Sequence, residues 1–168
     1  IWNDALDRVR IEGATETQFQ TFYSCLYRTQ LFPRIWHEKD ASGNIVHRSP
    51  YNGKVEPGVL YADHGYWDDY HAWYPMMLLL YPERLSQILQ GWVNEFKEGG
   101  WFPQFPCPGY RGAMTGSLID SVFGDAAAKG LTGFDLHTAY LGLKKHATQK
   151  GDPAKGYGRV AIEPYMKL

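Results

Sequence analysis

The chain has 168 residues, which suits one compact domain with a sizeable core, and its net charge of -1 without any block of like charge excludes a nucleic-acid electrostatic footprint. Two cysteines, Cys25 and Cys107, are too few for a disulfide framework or a Cys-based zinc site; they can form one disulfide or stay as buried thiols, and buried thiols are expected. No apolar run reaches membrane-spanning length.

Helical periodicity dominates. Residues 2–11 place Trp2, Leu6 and Val9 at helix spacing. Thr15 and Gln18 form a capping box ahead of Phe19, Phe22, Tyr23 and Leu26, and this helix should run to about Leu31, where Pro33 ends it. Residues 33–64 break the pattern. SGN at 42–44 and YNG at 51–53 are turn signals, so a long excursion with a small β-hairpin is expected. A helix apolar nearly all round is expected over 67–80, kinked or split near His71 by Pro75. Tyr81-Pro82-Glu83 restarts a helix, and Leu85, Ile88, Leu89, Trp92, Val93 and Phe96 make a one-sided stripe closed by Gly99-Gly100.

WFPQFPCPGYRG at 101–112 reads as a Pro/Gly loop. Ser117 and Asp120 make a box-like start for the next helix, and Asp135 caps another that finishes on Lys144-Lys145. A last helix is expected from near Gly158. The result is an all-α fold of alternating inner and outer helices, as a helical toroid requires, although one-sided stripes alone suit a simple bundle equally. The chain starts at IWND and stops at EPYMKL in mid-pattern, so a processed chain or a piece of a larger protein is expected.

Aromatics make up 15% of the chain, and they crowd into GYWDDYHAWYP at 65–75. A buried core does not want the charges of Asp68 and Asp69; a solvated surface does not want the rings of Trp67, Tyr70, Trp73 and Tyr74. One reading is two helix-N-terminal acids beside core aromatics. The other is a sugar site, with Trp67 packing on the apolar face of a pyranose and Asp68 accepting hydrogen bonds from its hydroxyls. A metal reading of Asp63, His64, Asp68, Asp69 and His71 lacks any HExxH or three-histidine pattern. In the second constellation, Trp101, Phe102, Gln104, Tyr110 and Arg111 either rim a cleft or pack their rings under a rigid turn. His37, His47, His137 and His146 are isolated and expected to be exposed. No nucleophile elbow, phosphate loop or dinucleotide fingerprint occurs.

TFYSCLYRTQLFPR (21–34), the run from GYWDDYHAWYP to GGWFPQF (65–105) and MTGSLIDSVFGDAAAKG (114–130) together resemble the catalytic domain of glycoside hydrolase family 92. The resemblance implies the first half of an (α/α)6 toroid, with residues 1–168 as a partial catalytic-domain segment. It implies an exo-α-mannosidase that works with inversion, uses calcium and acts on α-mannoside glycans. Trp67 and Asp68 then line the terminal-mannose subsite, with Trp101 and Gln104 on the same side. The catalytic acid and base, and most calcium ligands, are expected beyond Leu168, so the isolated segment should be inactive. Asp68 and Asp69 are not such a pair, since adjacent side chains on a helix diverge by about 100°. The chain departs from the family at His71, where arginine is frequent, and at Leu118, where histidine is frequent. A secreted, periplasmic or cell-surface location follows from the resemblance alone. Two rivals are another toroidal hydrolase of glucosidase or trehalase type, and a non-catalytic helical sugar-binding or scaffold domain.

Overall fold

The computed structural model describes residues 2–112, 118–165 and 167. In chain order the elements begin with α1 (Trp2–Leu6) and α2 (Glu16–Thr29). Five short strands follow: β1 (Arg34–Ile35), β2 (Glu38–Lys39), β3 (Ile45–Arg48), β4 (Val55–Pro57) and β5 (Tyr61–Ala62). Then come α3 (Trp73–Leu80), α4 (Pro82–Gly99), α5 (Ile119–Ala128), α6 (Leu136–Thr148) and α7 (Ile162–Tyr165).

Local chemistry sets most boundaries. Thr15 and Gln18 close their capping box, with Thr15 N donating to Gln18 Oε1 at 2.9 Å. Pro82 takes the first turn of α4, and Gly100 ends that helix at φ 79°, donating to Phe96 O at 2.8 Å. Leu85, Ile88, Leu89, Trp92 and Val93 bury the expected face. Asp135 caps α6 by accepting from Thr138 N at 2.9 Å. The expected cap at Ser117 lies outside the described residues.

Several expectations change. The first helix stops at Leu6, well short of residue 11. α3 starts at Trp73, not Trp67, and α7 starts at Ile162, past Gly158. Pro75 therefore sits in the first turn of α3, where its missing N–H costs no helical bond, so the helix begins just before it instead of kinking around it. The excursion holds two antiparallel sheets and not one hairpin, so the fold is mainly helical and not all-α. β2, β3 and β4 form one sheet, registered Glu38↔Val46 and Val46↔Pro57; β1 pairs β5 as Arg34↔Ala62. Asp40 Oδ1 builds the first turn by accepting from Ser42 N and Asn44 N at 2.8 Å each. Both cysteines are free thiols, but neither is buried as expected: Cys25 is exposed and Cys107 half-buried.

The core runs from Tyr61, Tyr66 and Trp73 through Met77, Leu89 and Trp92 to Phe102, Phe123 and Ala139. α3 packs on α4 and α5, and α6 covers α4 and α5. Only Tyr81 joins α3 to α4, and 129–135 joins α5 to α6. Residues 7–15 join α1 to α2, and the remaining connections, 30–72, 100–118 and 149–161, are long. They meet each other: Asp63 N donates to Pro106 O at 2.5 Å, and Gln104 N to Gly156 O at 2.8 Å. The helices thus present their short turns at one end and a platform of interlocked loops at the other.

Candidate functional site

The WDD segment lies on that platform, in the turn that leads into α3. Tyr66 O accepts from Asp69 N at 3.2 Å and Tyr70 N at 2.9 Å, and Asp69 O accepts from Tyr74 N at 3.1 Å. This coil anchors Tyr66, Trp73 and Tyr74 in the core, while Trp67, Asp68, Tyr70, His71 and Ala72 between them are exposed. Trp67 keeps 57% of its surface exposed, and Asp68 is exposed beside it. Burial as core aromatics and helix-dipole acids does not describe either residue. An indole left in solvent next to a free carboxylate offers an apolar platform and a hydrogen-bond acceptor side by side.

Beside them opens a hollow of about 410 Å³. Phe32, Asp63, His64, Gly65, Asp69 and Trp73 line it, with Arg28 and Thr29 from the end of α2. Trp73 Nε1 donates to Thr29 O at 2.8 Å, which fixes the indole as a wall. Asp63 holds a left-handed backbone at φ 61° and pairs with Arg34. Strain of that kind is concentrated at functional positions.

His64 is 5% exposed, between the rings of Trp73 (4.3 Å) and Tyr74 (5.3 Å). Its Nε2 stands 3.4 Å from Asp69 Oδ2 without a hydrogen bond among the described residues. Burial lowers the His64 imidazole to about 4, so it is neutral at pH 7 and makes no ion pair there. Burial, then the Asp68 charge, raises the Asp69 carboxyl to about 6. Sequence reasoning saw this pair only as metal ligands; the spacing His64 to Asp69 was the available signal for an interacting pair. Among the described residues no group of three or more His, Cys, Asp or Glu side chains gathers to hold a metal ion.

The 101–112 loop takes its packing role. Phe102 is fully buried, stacked on Phe96 at 5.2 Å and against Phe123 at 5.2 Å. Gln104 is also turned inward: its Nε2 donates to Gly158 O at 3.0 Å, pinning the next loop. Trp101 is half-buried against Lys145 Nζ (4.4 Å), His146 and Tyr157. Neither Trp101 nor Gln104 lines the hollow beside Trp67 and Asp68. Gln104 is held by its bonds to Gly156 O and Gly158 O, and Trp101 by its backbone bonds to the Tyr110 hydroxyl within its own loop.

Two histidines expected in solvent are buried. His47 bridges Gly58 O (2.9 Å) and Glu98 (2.8 Å), tying the three-stranded sheet to α4. Burial works against its charged form, but Glu98 and the Gly58 carbonyl outweigh it and raise the imidazole above its ordinary value. His146 lies beneath Trp101 and Phe102, with Nε2 3.3 Å from Phe102 O.

The catalytic-domain model of glycosyl hydrolase family 92 matches residues 1–168. The chain is 40% identical to the family GH92 inverting mannosidase BT2199 from Bacteroides thetaiotaomicron VPI-5482, with a TM-score of 0.91 over 99% of this chain and 23% of that one. It is 22% identical to the family GH92 α-mannosidase BT3965 from Bacteroides thetaiotaomicron, with a TM-score of 0.78 over 98% of this chain and 21% of that one. That likeness is one of fold, and it extends to the same enzyme in complex with mannoimidazole. No curated protein matches. The chain therefore spans less than a quarter of the length of these solved structures.

Proposed function

The chain belongs to glycosyl hydrolase family 92, and on that premise we propose that it is the substrate-binding part of an exo-α-mannosidase that hydrolyses terminal α-mannosides with inversion. The observation that carries this reading is the solvent-facing Trp67 indole beside the free Asp68 carboxylate on the loop platform. The indole packs on the apolar face of the terminal mannose, and Asp68 accepts from its hydroxyls. Together they fix the ring so that its anomeric carbon faces an attacking water. Inversion needs two carboxyl groups about 6.5–9.5 Å apart, one to deprotonate the water and one to protonate the departing glycosidic oxygen. Asp68 and Asp69 fill neither role in this reading; the acid and base come from the rest of the protein.

The helices form the first half of an (α/α)6 toroid in this account, consistent with long connections at one end and short ones at the other. Calcium is the cofactor proposed for the whole enzyme. Among the described residues no three His, Cys, Asp or Glu side chains gather to hold it, so this reading takes its ligands from the rest of the protein and no step here runs through it. Among the described residues no helix is long and apolar enough to cross a membrane, and we place the enzyme where glycans are met: secreted, periplasmic or at the cell surface.

Asp68→Ala in the full-length protein tests the assignment. We expect kcat/KM for an aryl α-mannoside to fall by about a hundredfold, the scale of losing charge-assisted hydrogen bonds to the bound ring. Retention of wild-type kcat/KM would remove Asp68 from the site. A wild-type preference for aryl α-glucoside would replace the mannosidase reading with the glucosidase one.

A further inference from the structure

Resting on the mannosidase reading of Trp67 and Asp68, we propose that Gln104 is a positioning residue for that site. It clamps the 101–112 loop to the 149–161 loop, and through Phe105 this clamp sets where the Asp68 carboxylate stands.

Gln104 is buried, and its main chain and side chain both bond the same neighbouring loop. Its N donates to Gly156 O at 2.8 Å, and its Nε2 donates to Gly158 O at 3.0 Å. Between those two contacts Tyr157 pairs with Pro103 in an antiparallel bridge. The Tyr157 ring lies 4.8 Å from Tyr110 and 5.6 Å from Trp101, so aromatic packing closes the seam around the clamp. A glycine lets the two loops come this close, because a Cβ built at Gly156 would collide with the Arg111 backbone. The far end of the second loop is anchored as well: Arg159 pairs with Asp120 in the first turn of α5. Both bonds of Gln104 therefore lead to backbone that is tied to a helix.

The residues that follow Gln104 meet the site. Pro106 O accepts from Asp63 N at 2.5 Å. A Cβ built at Gly65 would stand 3.5 Å from Phe105 Cε2 and 3.4 Å from Asp68 Oδ2, so the ring and the carboxylate lie against the same glycine. The backbone bonds of the turn link Tyr66, Asp69, Tyr70 and Tyr74 and pass over Asp68 among the described residues. Asp68 is placed by what its side chain rests against, and Phe105 is at that place. A misplacement of about 1 Å in a residue that orients substrate can cost about a hundredfold in rate. Gln104 acts at this distance without touching the sugar.

The test uses full-length protein and an aryl α-mannoside. Gln104→Leu keeps the volume and the backbone bond to Gly156 but loses the bond to Gly158 O. We expect kcat/KM to fall about tenfold at a temperature where circular dichroism shows the variant folded. The decisive measurement is the same substitution in an Asp68→Ala background. A positioning role works through Asp68, so the further loss there shrinks to less than about twofold. A merely structural role lowers the amount of working enzyme and costs the same factor in both backgrounds. That result overturns the proposal, as does no loss in either. Phe105→Leu, at a half-buried position, leaves both bonds of Gln104 in place and should show the same dependence on Asp68. It carries the test if Gln104→Leu does not fold, and an additive loss there also overturns the proposal. The two readings fail separately. Asp68→Ala with wild-type kcat/KM removes the sugar site and the clamp's purpose with it. A large loss from Asp68→Ala with additive losses from the other variants removes the clamp alone.

Discussion

Burial and the adjacent Asp68 charge raise the Asp69 carboxyl from 3.8 to about 6, and His71 opposes them only in part. The folded protein therefore prefers Asp69 protonated. Its contribution to stability is fully present below 3.8 and is lost as pH rises through about 6. Asp69→Asn keeps the shape and removes the charge. We expect thermal unfolding of the full-length variant to show a gain of about 1–2 kcal/mol at pH 8 that disappears below pH 4, a figure already reduced for the solvent that reaches this side chain. A pH-independent difference would contradict the shift. His64 runs the other way: held neutral by burial, its contribution is present above 6.5 and is lost as pH falls through about 4. The residue types of this site were legible in the WDD motif, since charges and rings in one short segment suit a cleft as well as a capped helix start, and the exposure of Trp67 and Asp68 favours the cleft. The burial of His64, His47 and His146 was not legible. His47 meets Glu98 of α4 and His146 lies beneath Trp101 and Phe102, and spacing along one segment carries no trace of such partners; His64 is covered by Trp73 and Tyr74, nearby in sequence but placed over it only by the turn into α3.

The same contrast holds among the elements. α4 could be read almost residue by residue, because its proline start, apolar stripe and glycine stop all lie within its own sequence. α3 could not, because the apolar run from Trp67 has two uses: a projecting turn up to Ala72, then a buried helix. The 101–112 loop was ambiguous for a similar reason, and Phe102 resolves it by entering the core as a plug between α4, α5 and α6. Gly142 on α6 makes room for it. A Cβ there would stand 3.0 Å from Phe102 Cδ2 and closer still to Cε2. Helix propensity alone favours Gly142→Ala by roughly 1 kcal/mol. Overpacking against an immobile buried ring costs about 1–3 kcal/mol and should win. We expect a lower melting temperature for Gly142→Ala, and recovery when Phe102→Leu is added; additive losses would show that the two do not share this contact.

At the scale of the whole molecule, the interlocked loops gather the site at one end, and the helices beneath them are exposed unevenly. α3 buries Trp73, Tyr74 and Met77, yet Leu79 on the same helix is 78% exposed. A lone exposed leucine is ordinary on a protein surface, and replacing one changes stability by less than about 0.5 kcal/mol. The toroid proposed above gives Leu79 a different place. There α3 is an inner helix, apolar all round, and its far side is covered by helices from the remainder of the protein. The two accounts differ sharply for Leu79→Lys. In the full-length protein, an inner position must bury an unpaired ammonium, and the variant should lose several kcal/mol or fail to fold. Leu79→Met, which conserves volume, should cost less than about 1.5 kcal/mol and shows whether the loss comes from the charge. Thermal unfolding of both variants decides the matter. A lysine variant as stable as wild type would put this face of α3 in solvent, and the ring of helices would have to be abandoned for an open bundle.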